Sequence, residues 1–197
     1  MIKNLKENLW KISFKLFGSE VYLLKLKGKN ILIDTSSILN RRELKKSLEE
    51  LKLPLEKIDI VLLTHNHFDH AGNIRIFKNA KIYGEYEDFK NKKVHNPFIP
   101  SLQKFKTEDE EERKAENILP LEKLNMPEIQ VMKTPGHTKG SVVFYMPKEK
   151  ILFSGDTVFE RGIGRTDLPN SAPEKMSESL EKVRKLDVKL LCPGHDY

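Results

Sequence analysis

Thr64-His65-Asn66-His67-Phe68-Asp69-His70 packs four potential metal ligands into six residues, directly after the apolar run Ile58 to Leu63. Residues two apart in an extended chain point to the same side, so His65 and His67 leave the end of a strand toward one ion. Asp69 and His70 fall on the following turn, and Ala71-Gly72-Asn73-Ile74 leads into a short helical pattern, so these two reach a second position beside the first. Two imidazoles on one side, and a carboxylate plus an imidazole on the other, suit a pair of borderline divalent ions such as Zn²⁺.

The remaining histidines extend this reading. The chain has six, three of them in this stretch. His137, in Thr134-Pro135-Gly136-His137-Thr138, and His195, in Cys192-Pro193-Gly194-His195, each follow an apolar run and a Pro-Gly turn. Asp156 ends the apolar stretch Leu152-Phe153-Ser154-Gly155-Asp156. Strand ends on tight loops are where sites are commonly built, because the scaffold fixes the backbone while the loop frees the side chain. His95 is the one histidine left without a part.

Length and composition bound the class. A chain of 197 residues with 38% hydrophobic and 32% charged residues is expected to form one domain, residues 1–197, around its own core. No window approaches the length of a membrane span and Met1 to Lys6 is not an apolar leader, so a cytoplasmic location and no membrane partner are expected. The single cysteine, Cys192, excludes an internal disulfide and reads as a small buried residue rather than a reactive thiol. Net charge is +6, but the 35 Lys and Arg are spread along the chain without an aromatic-interleaved stripe, which argues for a solvated surface and against nucleic acid.

Along the chain, Lys11 to Leu16 alternates as a half-buried strand, and Val21–Leu26 and Asn30–Ile33 continue an antiparallel meander that ends at Asp34-Thr35-Ser36. Asn40 with Glu43 resembles a capping box, opening a helix with Leu44, Leu48 and Leu51 on one face and Pro54 as its stop. A short helix is expected at 71–78 and a strand at Lys81 to Gly84. Next come an apolar-tipped loop, Asn96 to Pro100, and a capping pattern at Thr107 whose acidic run Glu108 to Glu112 reads as a solvated helix start. Strands at 128–132, 141–146 and 150–153 lead to His137 and Asp156. Ser171 to Glu174 caps a last helix with Met176, Leu180 and Val183 on one face, and strand 188–192 presents His195. Two sheets face to face with helices outside would bury these strands, an α+β, four-layer αββα sandwich of two mixed sheets.

His-x-His-x-Asp-His, a later Pro-Gly-His-Thr, a Gly-Asp-Thr and a terminal Gly-His, in that order and over nearly the whole chain, resemble the metallo-β-lactamase-fold hydrolases. The resemblance implies that His65, His67 and His137 hold one metal, that Asp69, His70 and His195 hold a second, and that Asp156 bridges them. Arg161-Gly162-Ile163-Gly164-Arg165-Thr166-Asp167, after Gly155-Asp156-Thr157, narrows it to the glyoxalase II-like branch. That branch implies a basic residue at Arg165 contacting an acidic substrate tail, where a guanidinium clamps a carboxylate in bidentate fashion; an Arg holding the turn through Asp167 is the alternative. Phe98, Ile99 and Phe105 fall in the region that borders the family's substrate opening. Glyoxalase II enzymes continue into a helical glutathione-binding domain, whereas this sequence ends at Tyr197, which leaves the His195 loop without a following element, so the second metal is expected to be less firmly held and glutathione specificity is not implied.

The expected chemistry is hydrolysis of a thioester or ester by a hydroxide bridging two divalent ions, zinc first, with Fe or Mn as substitutes, and with Asp69 orienting the nucleophile. A mononuclear iron persulfide dioxygenase is the alternative, and a metal-dependent nuclease a weaker one. Antibiotic hydrolysis is disfavoured by His70, since classical zinc β-lactamases lack a histidine there. The expected partner is a small-molecule thioester or ester, with oligomeric state open.

Overall fold

Lys27 and Gly28 both adopt positive φ, 51° and 72°, the backbone of a tight hairpin turn whose twist matches that of its flanking strands. That turn joins β3 (Val21–Leu26) to β4 (Lys29–Ile33), the centre of a meander that begins with β1 (Ile2–Lys6) and β2 (Leu9–Ile12). A computed structural model of the chain describes residues 1–90 and 118–196. His95, Phe98, Ile99, Phe105, the loop at Asn96, and the expected helix start at Thr107 with its acidic run lie outside the described residues.

After the meander come α1 (Arg41–Glu50), β5 (Ile60–Leu62), α2 (Phe68–Ala71), β6 (Lys81–Gly84), α3 (Tyr86–Lys90) and β7 (Leu119–Pro120). Strands β4 to β7 run parallel, so the first sheet, ordered β1 to β7, is mixed. The second is built from β8 (Gln130–Lys133), β9 (Val142–Met146), β10 (Ile151–Gly155) and β13 (Leu190–Pro193), ordered β13-β10-β9-β8. Between its last two strands in the chain lie the small hairpin β11 (Val158–Phe159) and β12 (Gly162–Ile163), then α4 (Pro173–Arg184).

Alternation along the strands sorts side chains between layers. Tyr22, Leu24, Ile31 and Ile33 face Val142, Phe144, Phe153 and Cys192 across the gap between the sheets. Val21, Leu23, Leu32 and Val61 turn the other way, onto Leu44 and Leu48 of α1 and onto Phe77. On the far side Val143, Tyr145 and Leu152 meet Val183 of α4. Strands buried on both faces read as continuous apolar runs, which is why Ile31 to Ile33 and Val142 to Met146 carry no polar alternation. The result is the expected α+β sandwich of two mixed sheets with outer helices.

Local expectations fared unevenly. The strand expected at 11–16 stops at Ile12; Leu16 and Phe17 instead project from the loop to β3, more than half exposed, with Phe17 stacked on Phe68 at 5.7 Å. The charged segment of β1 went unread. The helix expected at 71–78 is only the single turn α2 and a 3-10 turn at Ile74–Ile76. Neither expected side-chain cap forms: Asn40 donates to the Leu16 and Phe17 carbonyls and to Ser36 Oγ, and Ser171 donates to the His137 carbonyl. Both polar residues tie down loops rather than helix ends. Among the described residues no helix is long and apolar enough to cross a membrane.

Candidate metal centre

Strand direction brings the ligand loops to one place. β9 is antiparallel to both β8 and β10, and β10 is parallel to β13, so β8, β10 and β13 point the same way and the residues beyond their ends, His137, Asp156 and His195, gather at one edge. The loop after β5 meets them there, joined to the second sheet by the Val142 N–H donating to the Thr64 carbonyl at 2.9 Å.

Three histidine nitrogens converge first. His65 Nε2 lies 3.1 Å from His67 Nδ1, which lies 2.8 Å from His137 Nε2. The outer nitrogens settle which protons are present. His137 Nδ1 donates to the Arg165 carbonyl at 2.7 Å, leaving a lone pair on Nε2. Thr64 Oγ1 donates to Asp34 Oδ2 at 2.8 Å, so it accepts from His65 Nδ1 at 3.1 Å and the lone pair of His65 Nε2 also faces inward. Only His67 could put a proton between these nitrogens, and one proton cannot serve both neighbours. Converging lone pairs of this kind fit a shared cation: zinc–nitrogen bonds of about 2.0–2.1 Å set tetrahedral nitrogens roughly 3.3 Å apart.

The second cluster mixes charge. His70 Nδ1 donates to Asp34 Oδ2 at 2.8 Å, leaving Nε2 to face His195 Nε2 at 3.3 Å and Asp156 Oδ1 at 3.2 Å. Asp69 Oδ2 is 3.4 Å from His195 Nε2. Asp156 spans the clusters, its Oδ2 being 3.4 Å from His137 Nε2 and 3.5 Å from His195 Nε2. Asp156 Oδ1 is buried and makes no hydrogen bond, an orphaned oxygen that a cation would satisfy. The groupings able to hold an ion are His65, His67 and His137; Asp69, His70 and His195; and His65, His70 and Asp156, with donor atoms inside each within 4.8 Å.

Electrostatics differ between the clusters. Burial pushes His67 down to about 3, helped by the neighbouring His137, and pushes His65 well below its usual value, helped by His70. Burial also opposes charge on His70, but Asp156 and Asp34 outweigh it and raise that ring well above the usual value. Burial favours the neutral form of Asp156 too, yet His70 holds its carboxyl below the usual carboxylate range, and the His195 hydrogen bond does the same for Asp69.

Close backbone packing leaves no slack. A Cβ at Gly194 would fall on Asp156 Oδ1, and one at Gly164 on the Asp156 carbonyl. The His195 loop is tied on three sides: Glu20 N–H donates to the Gly194 carbonyl, Gly194 N–H to the Gly155 carbonyl, and Tyr22 OH to the Pro193 carbonyl, each at 2.8 Å. The Arg165 guanidinium makes a bidentate pair with Asp167, at 2.9 and 2.7 Å, while its backbone carbonyl orients His137. Two buried carboxylates were missed. Asp34 shared a detectable signal with the other site residues, a polar group just past an apolar strand; Asp88, in the acidic stretch Glu85-Tyr86-Glu87-Asp88, had none.

Known proteins align with this arrangement. A hydroxyacylglutathione hydrolase of Hydrogenovibrio crunogenus is 36% identical over 143 residues, which are 72% of this chain and 46% of that protein. The chain spans about half the length of this enzyme and of the hydroxyacylglutathione hydrolases of two Bartonella species that it also matches. A protein of Methanocaldococcus jannaschii named "Probable metallo-hydrolase" is 31% identical over 91% of this chain and 88% of its own length. Among solved structures, the B3 metallo-β-lactamase BLEG-1 is 26% identical with a TM-score of 0.73, covering 96% of this chain and 92% of the other. A protein solved in a di-iron-bound form is 25% identical with a TM-score of 0.71, covering 95% of this chain and 92% of the other. The metallo-β-lactamase superfamily pattern matches residues 15–195, and the chain belongs to that superfamily.

Proposed function

We propose that this chain is a metal-dependent hydrolase that cleaves a thioester or ester with two divalent ions at this site, zinc first. The convergence of His65, His67 and His137 beside Asp69, His70 and His195, with the orphaned Asp156 oxygen between them, carries the reading. Bound divalent ions would supply Lewis acidity and a water ionised near neutral pH. His65, His67 and His137 would hold one ion, Asp69, His70 and His195 the other, and Asp156 would touch both. The hydroxyacylglutathione hydrolases among the relatives support a thioester as substrate.

Thr64 and the Arg165 carbonyl fix the tautomers of His65 and His137, and Asp34 fixes that of His70, so that a lone pair from each ring faces inward. Asp69 accepts a hydrogen bond from the attacking water and aims its lone pair at the substrate carbonyl carbon. The oxygen–carbon bond forms as the water gives up a proton through Asp69 to solvent, and the C–S bond breaks with its electron pair on sulfur; a thiolate departs without a general acid, so none is required. Arg165 would meet a substrate carboxylate only by exchanging Asp167 for it.

The likeness to a B3 metallo-β-lactamase brings lactam hydrolysis back as a second reading, despite the His70 argument. An amine leaving group must be protonated, unlike a thiolate, which separates the two substrates chemically. The deciding assay gives zinc-loaded protein, and in parallel iron-loaded protein, a hydroxyacyl-glutathione thioester, a β-lactam and a glutathione persulfide. Thiol release from the thioester without oxygen uptake is expected, and His70→Ala should impair it. Iron-dependent oxygen consumption with the persulfide that survives His70→Ala, or lactam cleavage alone, would overturn the thioester reading.

A further inference from the structure

Asp88 is buried to 1% exposure on α3, and both of its carboxylate oxygens are fully engaged by donors. Oδ2 accepts from the Asn66 N–H at 2.8 Å and from the Thr138 hydroxyl at 3.1 Å. Oδ1 accepts from the Gly140 N–H at 3.1 Å and from the Asn170 side-chain amide at 2.9 Å. The Asn66 side chain returns a bond to the Asp88 carbonyl, and a Cβ at Gly140 would fall on the Asp88 side chain.

The placement of these donors is selective. Asn66 sits between His65 and His67. Thr138 follows His137 directly, Gly140 lies two residues further on, and Asn170 belongs to the loop that continues from Arg165, whose carbonyl orients the His137 ring. None of the donors adjoins His70, Asp156 or His195. Asp34 holds the corresponding place on the other side, directly against the His70 ring.

We propose that Asp88 is a positioning residue for the three-histidine position alone, tying the His65–His67 segment to the His137 loop so that their nitrogens stay converged. This rests on the proposed reading of the cluster as a metal position. The carboxylate is specifically needed. Asparagine at 88 has the same size, but it would leave one accepting oxygen and turn an NH₂ toward two donors, so the loops would be pushed apart without a cavity being made.

Zinc affinity, measured by chelator competition in single-position backgrounds, tests this. His195→Ala leaves the three-histidine set whole, and His137→Ala leaves the Asp69, His70 and His195 set whole. Asp88→Asn is expected to weaken zinc about ten- to a hundredfold in the His195→Ala background and less than about threefold in the His137→Ala background. Should Asp88→Asn fail to fold, Thr138→Val removes one donor at constant size and should give a smaller loss with the same selectivity. Equal weakening in both backgrounds, or none in either, overturns the inference. Wild-type protein that takes up no zinc overturns the metal reading itself.

Discussion

At the three-histidine end of the site, burial, helped by the neighbouring imidazoles, drives His65 and His67 toward the neutral form, whereas at the other end His70, equally buried, is raised because Asp156 and Asp34 face it. The same side chain in the same solvent-free setting thus takes opposite protonation tendencies according to whether a carboxylate stands within hydrogen-bond reach. At the three-histidine end, His65 and His67 offer neutral nitrogen donors at neutral pH. The carboxylate end concentrates negative charge, and it can hold a proton where it would otherwise hold a cation.

Asp156 Oδ2 lies 3.4 Å from His137 Nε2 and 3.5 Å from His195 Nε2, within reach of both ends, so removing it should produce the largest effect. Asp156→Ala is expected to lower zinc affinity at both positions by more than about a hundredfold, beyond what loss of an outer-shell partner costs. Metal analysis showing loss at only one position would refute the bridging role and leave two independent sites.

Acid should separate the ends next. In protein stripped by a chelator, His65 and His67 bind fewer protons folded than unfolded, so their contribution turns destabilising below about pH 6.5 and, for His67, grows until about 3. His70 has the opposite sign: its folded value lies above the unfolded one, so its stabilisation is complete below about 6.5 and is lost as pH rises through the folded value. Unfolding midpoints against pH should therefore show a shallower acid limb for His67→Gln, and for His70→Gln a midpoint lowered evenly below about pH 6.5 with the decline above that pH removed. Identical limbs would erase the distinction.

A change away from both ends calibrates these effects. Leu48 is fully buried between α1 and the first sheet, and Leu48→Ala should cost about 2–5 kcal/mol in denaturant unfolding while leaving zinc stoichiometry intact. The smallest effect is expected at the exposed Arg165–Asp167 pair. Arg165→Ala should raise KM roughly tenfold for thioesters that carry a free carboxylate, about the loss expected for one charge-assisted contact, and hardly at all for uncharged ones. Equal changes for both substrates would assign Arg165 to the turn.

The candidate ligand cluster was legible in the sequence because metal-ligand types are scarce and their spacing follows strand ends: His65, His67, Asp69, His70, His137, Asp156 and His195 lie in three overlapping groups that could hold an ion. Their supports were not. A buried carboxylate such as Asp88 looks the same in sequence as a solvated one, and what buries it, the loops at Asn66, Thr138 and Asn170, comes from distant parts of the chain. Asn40 and Ser171 failed as caps for the same reason, since tertiary partners outbid a local bond. Apolar patterning placed β3, β4, β6 and β9 well, because burial on both faces leaves a continuous run. It misplaced β2, because Phe14 and Leu16 alternate in a loop as they would in a strand.

Metal content is the most direct test of the account. Protein purified without added metal and then titrated with zinc should reach two ions per chain at neutral pH and release them on acidification. A chain that carries no transition metal as purified, and takes up none on titration, would contradict it.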